Sequence, residues 1–267
     1  YVITPEGEHW LVYGSWHSGF TAVQLNAETG KPLNELGKPW SINGDHSSYG
    51  DLIARRGYGR WQASEAPEII YNSKTGYYYL FMAYDELSVA YNTRVARSKN
   101  IKGPYVDMVG KNITEKGGGD AYPVVTHPYK FNNSYGWVGI SHCAIFNDGQ
   151  DNWFYASQGR LPANITGINA SNAVMMGHVR SIRWTDEGWP LVMPERYGAV
   201  PSVAIKEEEL VGEWEHINMG YNYQKQFTAV SLKLNSSHIS EGVLTGSWNF
   251  DATKQTVTIG GVKLYLQ

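Results

Sequence analysis

The 267-residue chain sets 22 Lys and Arg against 25 Asp and Glu, and the net charge of −3 excludes the basic footprint of a nucleic-acid binder. Its single cysteine excludes an internal disulfide framework, and no stretch reaches the roughly eighteen apolar residues of a membrane-spanning helix. Ten Trp and nineteen Tyr stand against seven Phe, a bias toward flat apolar faces with polar tips that suits sheet packing and sugar faces alike.

The first element is a hairpin. "YVITPEGEHWLVYGS" (Tyr1–Ser15) runs from an apolar strand through a Gly-containing turn to an aromatic strand and a small residue. The same form returns in "APEIIYNSKTGYYYLFMA" (Ala66–Ala83) and in "CAIFNDGQDNWFYAS" (Cys143–Ser157), a spacing of roughly 70 residues. The segments between, such as "TRVARSKNIKGPYVD" and "HVRSIRWTDEGWPLV", read as further strands with Gly and Pro turns, and no helical period exceeds two turns. The repeat predicts an all-β chain with propeller blades at about 1–58, 59–118 and 119–193, inside a propeller domain spanning 1–200. Three blades do not close a ring, so the expectation is part of a larger propeller, or a ring completed by a companion N-terminal chain. Past "PERYGAVPSVAIKEEE" the strands become short and alternating, which predicts a small β-sandwich or barrel-like domain over 206–267.

The innermost strands of a propeller begin near its axis, so equivalent positions in different blades converge there. Glu65 lies twelve residues before Tyr77, and His142 lies eleven before Trp153. Both precede the first strand of their hairpin and are expected to share one axial pocket. The same count back from Trp10 falls just ahead of Tyr1. Read from the residues alone, Glu65 is either a functional acid or a solvated strand-end carboxylate. His142 is either a ligand or a hydrogen-bonded core histidine. Cys143, its neighbour, points to the opposite face of a strand and makes a poor Cys–His partner.

Four segments carry a resemblance: "SEAPEIIYNSKTGYYYLF", "YNTRVARSKNIKGPYVD", "LVYGSWHSGF" and "HVRSIRWTDEGWPLVMPERY". Together, over about residues 1–200, they resemble glycoside hydrolase family 43, and within it the arabinanases that cut α-1,5-linked L-arabinan; the trailing part is similar to the C-terminal β-domain of the longer extracellular members. The resemblance implies a five-bladed propeller and an inverting mechanism with three acids. Its general acid maps onto Glu65 in an E-A-P context, with a carboxyl pKa raised by desolvation and neighbouring charge. Its base and pKa-tuning aspartates map onto no residue of the chain, so the chain alone is expected to be inactive. The resemblance also implies a calcium or other cation beside His142, mostly water-coordinated, with Ser15 and Trp16 as sugar contacts. Asn92 and Arg94 match family residues, with Arg94 reaching the pocket or pairing with a blade carboxylate, and Trp61 is a groove wall or a blade edge. The expected partner is arabinan, outside the cell or in the periplasm, with neither nucleic acid nor membrane involved. Two alternatives stay open: an α-L-arabinofuranosidase or β-xylosidase with the same acid, and a carbohydrate-binding propeller without catalysis.

Overall fold

The computed structural model describes residues 1–16, 19–36, 49–56, 64–114, 120–163, 165–167, 171 and 173–266. Trp61 lies outside the described residues.

Three four-stranded antiparallel sheets follow one another along the chain. The first holds β1 (Val2–Ile3), β2 (His9–Gly14), β3 (Phe20–Leu25) and β4 (Asp51–Ala54) in sequence order. The second holds β5 (Ser64–Asn72), β6 (Tyr77–Tyr84), β7 (Asn92–Ser98) and β8 (Val124–Thr126). A two-residue strand, β9 (Tyr129–Lys130), comes next. The third sheet holds β10 (Ala144–Asn147), β11 (Trp153–Gly159), β12 (Met176–Trp184) and β13 (Pro190–Val192). Each is a meander of hairpins, the arrangement of a propeller blade.

The middle sheet shows why its sequence reads as an unbroken apolar run. Side chains alternate along a strand, and both faces of β6 are covered. Tyr78, Leu80, Met82 and Tyr84 pack into a core shared with the first sheet. Tyr79 and Phe81 pack into a second core with Ile145, Tyr155, Ile182 and Trp189 of the third. A strand buried on both sides has no polar face to alternate with. Each fully buried side chain of this kind contributes about 1.5–3 kcal/mol.

One boundary differs from the expectation. The second sheet closes with β8 at Val124–Thr126, beyond the expected limit at 118. The segment after β7, read as strand, forms only isolated bridges, Arg97 with Val106 and Val106 with Asn112. Asp107 accounts for this. Its carboxylate accepts from the backbone N–H groups of Val109 (3.1 Å), Lys111 (2.8 Å) and Tyr122 (3.0 Å), satisfying the backbone locally instead of in a ladder.

After a short 3-10 turn at Glu207–Leu210 come β14 (Gly212–His216), β15 (Phe227–Thr228), β16 (Val230–Leu234), β17 (Ile239–Gly242), β18 (Gly246–Asp251), β19 (Thr256–Ile259) and β20 (Val262–Tyr265). All but β15 form one six-stranded sheet, ordered β14-β16-β17-β18-β19-β20, around a core of Leu232, Leu234, Trp248, Val257 and Ile259. β15 leaves it and pairs in parallel with β9, so an arm of the C-terminal part lies against the segment joining the second and third sheets.

Candidate active site

The E-A-P segment is a β-bulge. On β5, Glu65 faces Ala83 and Glu68 faces Phe81, so two residues, Ala66 and Pro67, oppose the single Met82. Ala66 takes a left-handed φ of 52°, and Pro67 has no N–H to lose from the ladder. The extra residue also changes which way the acid points. Three residues apart on a regular strand, Glu65 and Glu68 would face opposite sides. The bulge sets both opposite residues of equal parity, Ala83 and Phe81, and so on the side of the third sheet. Glu68 reaches that sheet and accepts a 3.2 Å hydrogen bond from the N–H of Ile145, while burial pushes its carboxyl pKa up.

Glu65 is partly buried, and its Oε1 accepts a 2.7 Å hydrogen bond from the hydroxyl of Tyr91, which is itself fully buried just ahead of β7. Burial and then the adjacent Glu65 carboxylate push the Tyr91 phenol far up, so it remains a neutral O–H. The same hydroxyl oxygen lies 3.2 Å from Nδ1 of His142. When the Tyr91 proton goes to Glu65, its oxygen is free to accept from Nδ1–H, and in a neutral His142 that arrangement puts the lone pair on Nε2. His142 is exposed, holds a left-handed φ of 56° and lies just ahead of the β10–β11 hairpin of the third sheet. Glu65 and His142, picked out in the sequence by register, are therefore joined through a third residue. Among the described residues no group of three or more His, Cys, Asp and Glu could hold a metal ion.

Asn92 and Arg94 are both buried, and alternation places them on the face of β7 opposite to Thr93. Thr93 points toward the third sheet, bonding Ser141 at 2.8 Å and the hydroxyl of Tyr155 at 2.7 Å. Asn92 instead donates to Asp85 Oδ2 (3.1 Å) and accepts from Arg94 Nε (2.6 Å). Arg94 donates to the carbonyl of Ala121 (2.6 Å) and lies over the Tyr221 ring at 4.8 Å, and burial lowers its pKa. Asp85 and Asp120 clasp Arg56, each at 2.6 Å. Against the cost of burial these two carboxylates hold Arg56 charged, and Arg56 in turn depresses Asp120.

The C-terminal arm closes this cluster. Tyr221 donates to Asp85 Oδ2 at 2.6 Å, and Tyr223 donates to Glu86 Oε1 at 2.7 Å. His127 packs its ring against Tyr221 and Phe227. The arm thus braces Asp85 and Glu86, at the head of the loop that leads to Tyr91.

Ser15 is partly buried and Trp16 exposes its indole at the end of the β2–β3 hairpin, with a φ of 55°. Sequence reasoning passed over Tyr91 and the arm. Tyr91 stood in the quoted "YNTRVARSKNIKGPYVD" as one tyrosine among nineteen, and nothing in "NMGYNYQKQ" marks it as part of a site.

The family model described as glycosyl hydrolases family 43 matches residues 1–190, and the one described as a C-terminal lipocalin-like domain matches 194–266. The chain is 28% identical over 277 residues to the extracellular endo-alpha-(1->5)-L-arabinanase 2 of Bacillus subtilis, covering 97% of this chain and 55% of that protein. It is 30% identical over 261 residues to the extracellular endo-alpha-(1->5)-L-arabinanase of Thermotoga petrophila, covering 91% of this chain and 50% of the relative. The crystal structure of that Thermotoga petrophila endo-1,5-alpha-L-arabinanase superposes with a TM-score of 0.77 at 28% identity, over 98% of this chain and 57% of that one. The chain spans about half the length of the curated relatives it matches.

Proposed function

The chain belongs to glycosyl hydrolase family 43, and we propose that it carries the general acid, Glu65, of an inverting hydrolase of α-1,5-linked L-arabinan. The observation that carries this reading is the buried Tyr91 hydroxyl on Glu65. A general acid passes through both protonation states in each turnover. A hydroxyl serves both states, donating to the carboxylate and accepting from the carboxylic acid, so the group keeps its position throughout.

In this reading Glu65 delivers its proton to the glycosidic oxygen as the bond to the arabinosyl carbon breaks. A base carboxylate on the other side of the sugar takes a proton from the attacking water, at a carboxyl separation of roughly 6.5–9.5 Å. We assign the base and the pKa-tuning aspartate to the portion of the relatives that this chain does not span. They are carried by further sheets of a five-bladed ring, in the same polypeptide or a companion one. His142 fits a one-ligand role for a largely hydrated divalent cation such as calcium, because its Nδ1 is engaged by Tyr91 and its Nε2 is not. Such an ion would supply positive charge beside the acid. Trp16 and Ser15 line the sugar groove, whereas Asn92 and Arg94 act from behind, fixing the Asp85 loop. The relatives are named as extracellular, and we place the work of this chain outside the cell as well.

The test compares this chain alone with the chain joined to the N-terminal half of its Thermotoga petrophila relative, on linear arabinan, with proton NMR of the first-formed anomer. Cleavage by the joined form with inversion, abolished in Glu65→Gln, is the expected result. Retention of configuration, or full activity in the Glu65→Gln form, overturns the assignment. Arabinan binding without cleavage in both forms would favour the carbohydrate-binding alternative.

A further inference from the structure

A second polar cluster lies away from Glu65, between the second and third sheets. On β12, His178 faces Ser157, Arg180 faces Tyr155 and Ile182 faces Trp153. Ile182 belongs to the core shared with the second sheet, so alternation turns His178 and Arg180 toward that sheet too. Both are almost wholly inaccessible, at 2% and 1% exposure. The segment 127–141, which crosses from the second sheet to the third, adds Tyr129 and Trp137.

This cluster is short of partners. Both ring nitrogens of His178 and Nη1 of Arg180 are buried without a hydrogen bond. Arg180 Nε has one, at 3.3 Å to the hydroxyl of Tyr129, whose own proton goes to the carbonyl of Pro194. Among the described residues no carboxylate forms an ion pair with Arg180. Exposed Glu195 is felt at the Tyr129 phenol but does not reach the guanidinium. Nor do the phenols neutralise it, because burial keeps both Tyr129 and Tyr155 protonated. His178 adds no positive charge. Burial first, then Arg180 and Arg196, bring its pKa down to about 4, so at neutral pH it offers one N–H. A buried guanidinium lacking a counter-charge is costly, and buried donors are as a rule satisfied.

We propose that the His178–Arg180 pair is a binding site for a small monovalent inorganic anion of halide size. One full positive charge and a neutral N–H match a single negative charge. The surroundings are tightly packed, which favours a small ion over a large one. The His178 ring sits so close to the β11 backbone that a Cβ on Gly159 would lie 3.0 Å from Nε2, and the Trp137 ring stands edge-on to it at 4.3 Å. The bound ion joins the third sheet to the 127–141 crossover, on which the C-terminal arm docks through β9. Through that crossover it supports the arm whose Tyr221 and Tyr223 brace the loop before Tyr91.

The protein as expressed is transferred to sodium bromide, sodium chloride or sodium gluconate at equal ionic strength, gluconate being an anion far larger than either halide. A rise in Tm of a few degrees that saturates with either halide and is absent in gluconate is expected. So is an anomalous bromide peak within contact distance of Arg180 Nη1 in crystals grown from bromide. Arg180→Met removes the halide dependence. Should that variant fail to fold, the bromide map and the halide–gluconate comparison on the unaltered protein decide alone. Equal Tm in the three salts, with ordered water bridging His178 and Arg180 in the map, overturns the proposal.

Discussion

The hydroxyl of Tyr91 donates a 2.7 Å hydrogen bond to Oε1 of Glu65 from a position with no solvent exposure at all. A carboxyl on a bulge, next to a residue with a left-handed φ, has rotamers to spare, and this bond selects among them. Tyr91→Phe keeps the ring and removes only the selection. In the hydrolytically active form, kcat on linear arabinan is expected to fall by about tenfold, the equivalent of ~1.4 kcal/mol. KM should change little. An aryl arabinofuranoside with an acidic phenol as leaving group needs no proton from Glu65, so its cleavage should be nearly unaffected. Equal losses on both substrates would refute a positioning role.

The Asp85 cluster makes a prediction about stability instead. Its carboxylate is fully buried and takes hydrogen bonds from Arg56, Asn92 and Tyr221, three separate parts of the chain. Asp85→Ala leaves the Arg56 charge with Asp120 alone and should cost about 3–5 kcal/mol in urea unfolding. Tyr221→Phe removes one hydrogen bond to a charged group and should cost about 1.5–3 kcal/mol. The cost of the double variant is expected to fall short of the sum, since both act on one carboxylate.

How far the sequence could be read follows from how local each feature is. The β5–β6 hairpin was legible because its turn is written in adjacent residues, with Asn72 Oδ1 accepting from the N–H of Lys74 at 3.0 Å. Glu65 and His142 were legible because a repeat places them at the same point of their hairpins. β8 was not, since a three-residue strand after a long Asp107-capped loop has no pattern of its own. The arm was illegible for a related reason. Its parallel pairing of Phe227 with Tyr129 spans nearly a hundred residues and leaves no period in either segment. Tyr91 shows the limit most plainly. Its role depends on a bulge, a loop and a neighbouring sheet meeting at one oxygen.

Gly14 ends β2 opposite Phe20, beside Ser15 and Trp16, with a φ of 117°. A Cβ there would lie 2.2 Å from the carbonyl oxygen of Gly19. Gly14→Ala meets both a disfavoured backbone and a clash with main chain, and should destabilise by at least about 1–3 kcal/mol. Gly7, with a φ of 84° and nothing within 4 Å of its would-be Cβ, is the control. Gly7→Ala meets the backbone term alone, so its Tm should fall by less.

The bulge that turns Glu68 toward the third sheet carries a pH signature. Its carboxyl is raised above its ordinary value near 4.5, burial outweighing the hydrogen bond from Ile145. The folded chain therefore holds this proton more tightly than the unfolded chain does. Its contribution is most favourable at low pH, where both states are protonated. It declines as pH rises from about 4.5 through the folded-state value, and beyond that the penalty of an ionised buried carboxyl is complete. Glu68→Gln keeps an oxygen for the Ile145 N–H and removes the ionisation. The variant should melt higher than the parent at pH 8 and at nearly the same temperature at pH 4, read as Tm against pH by circular dichroism. A variant less stable than the parent at pH 8 would mean that the ionised carboxylate is paired with a cation.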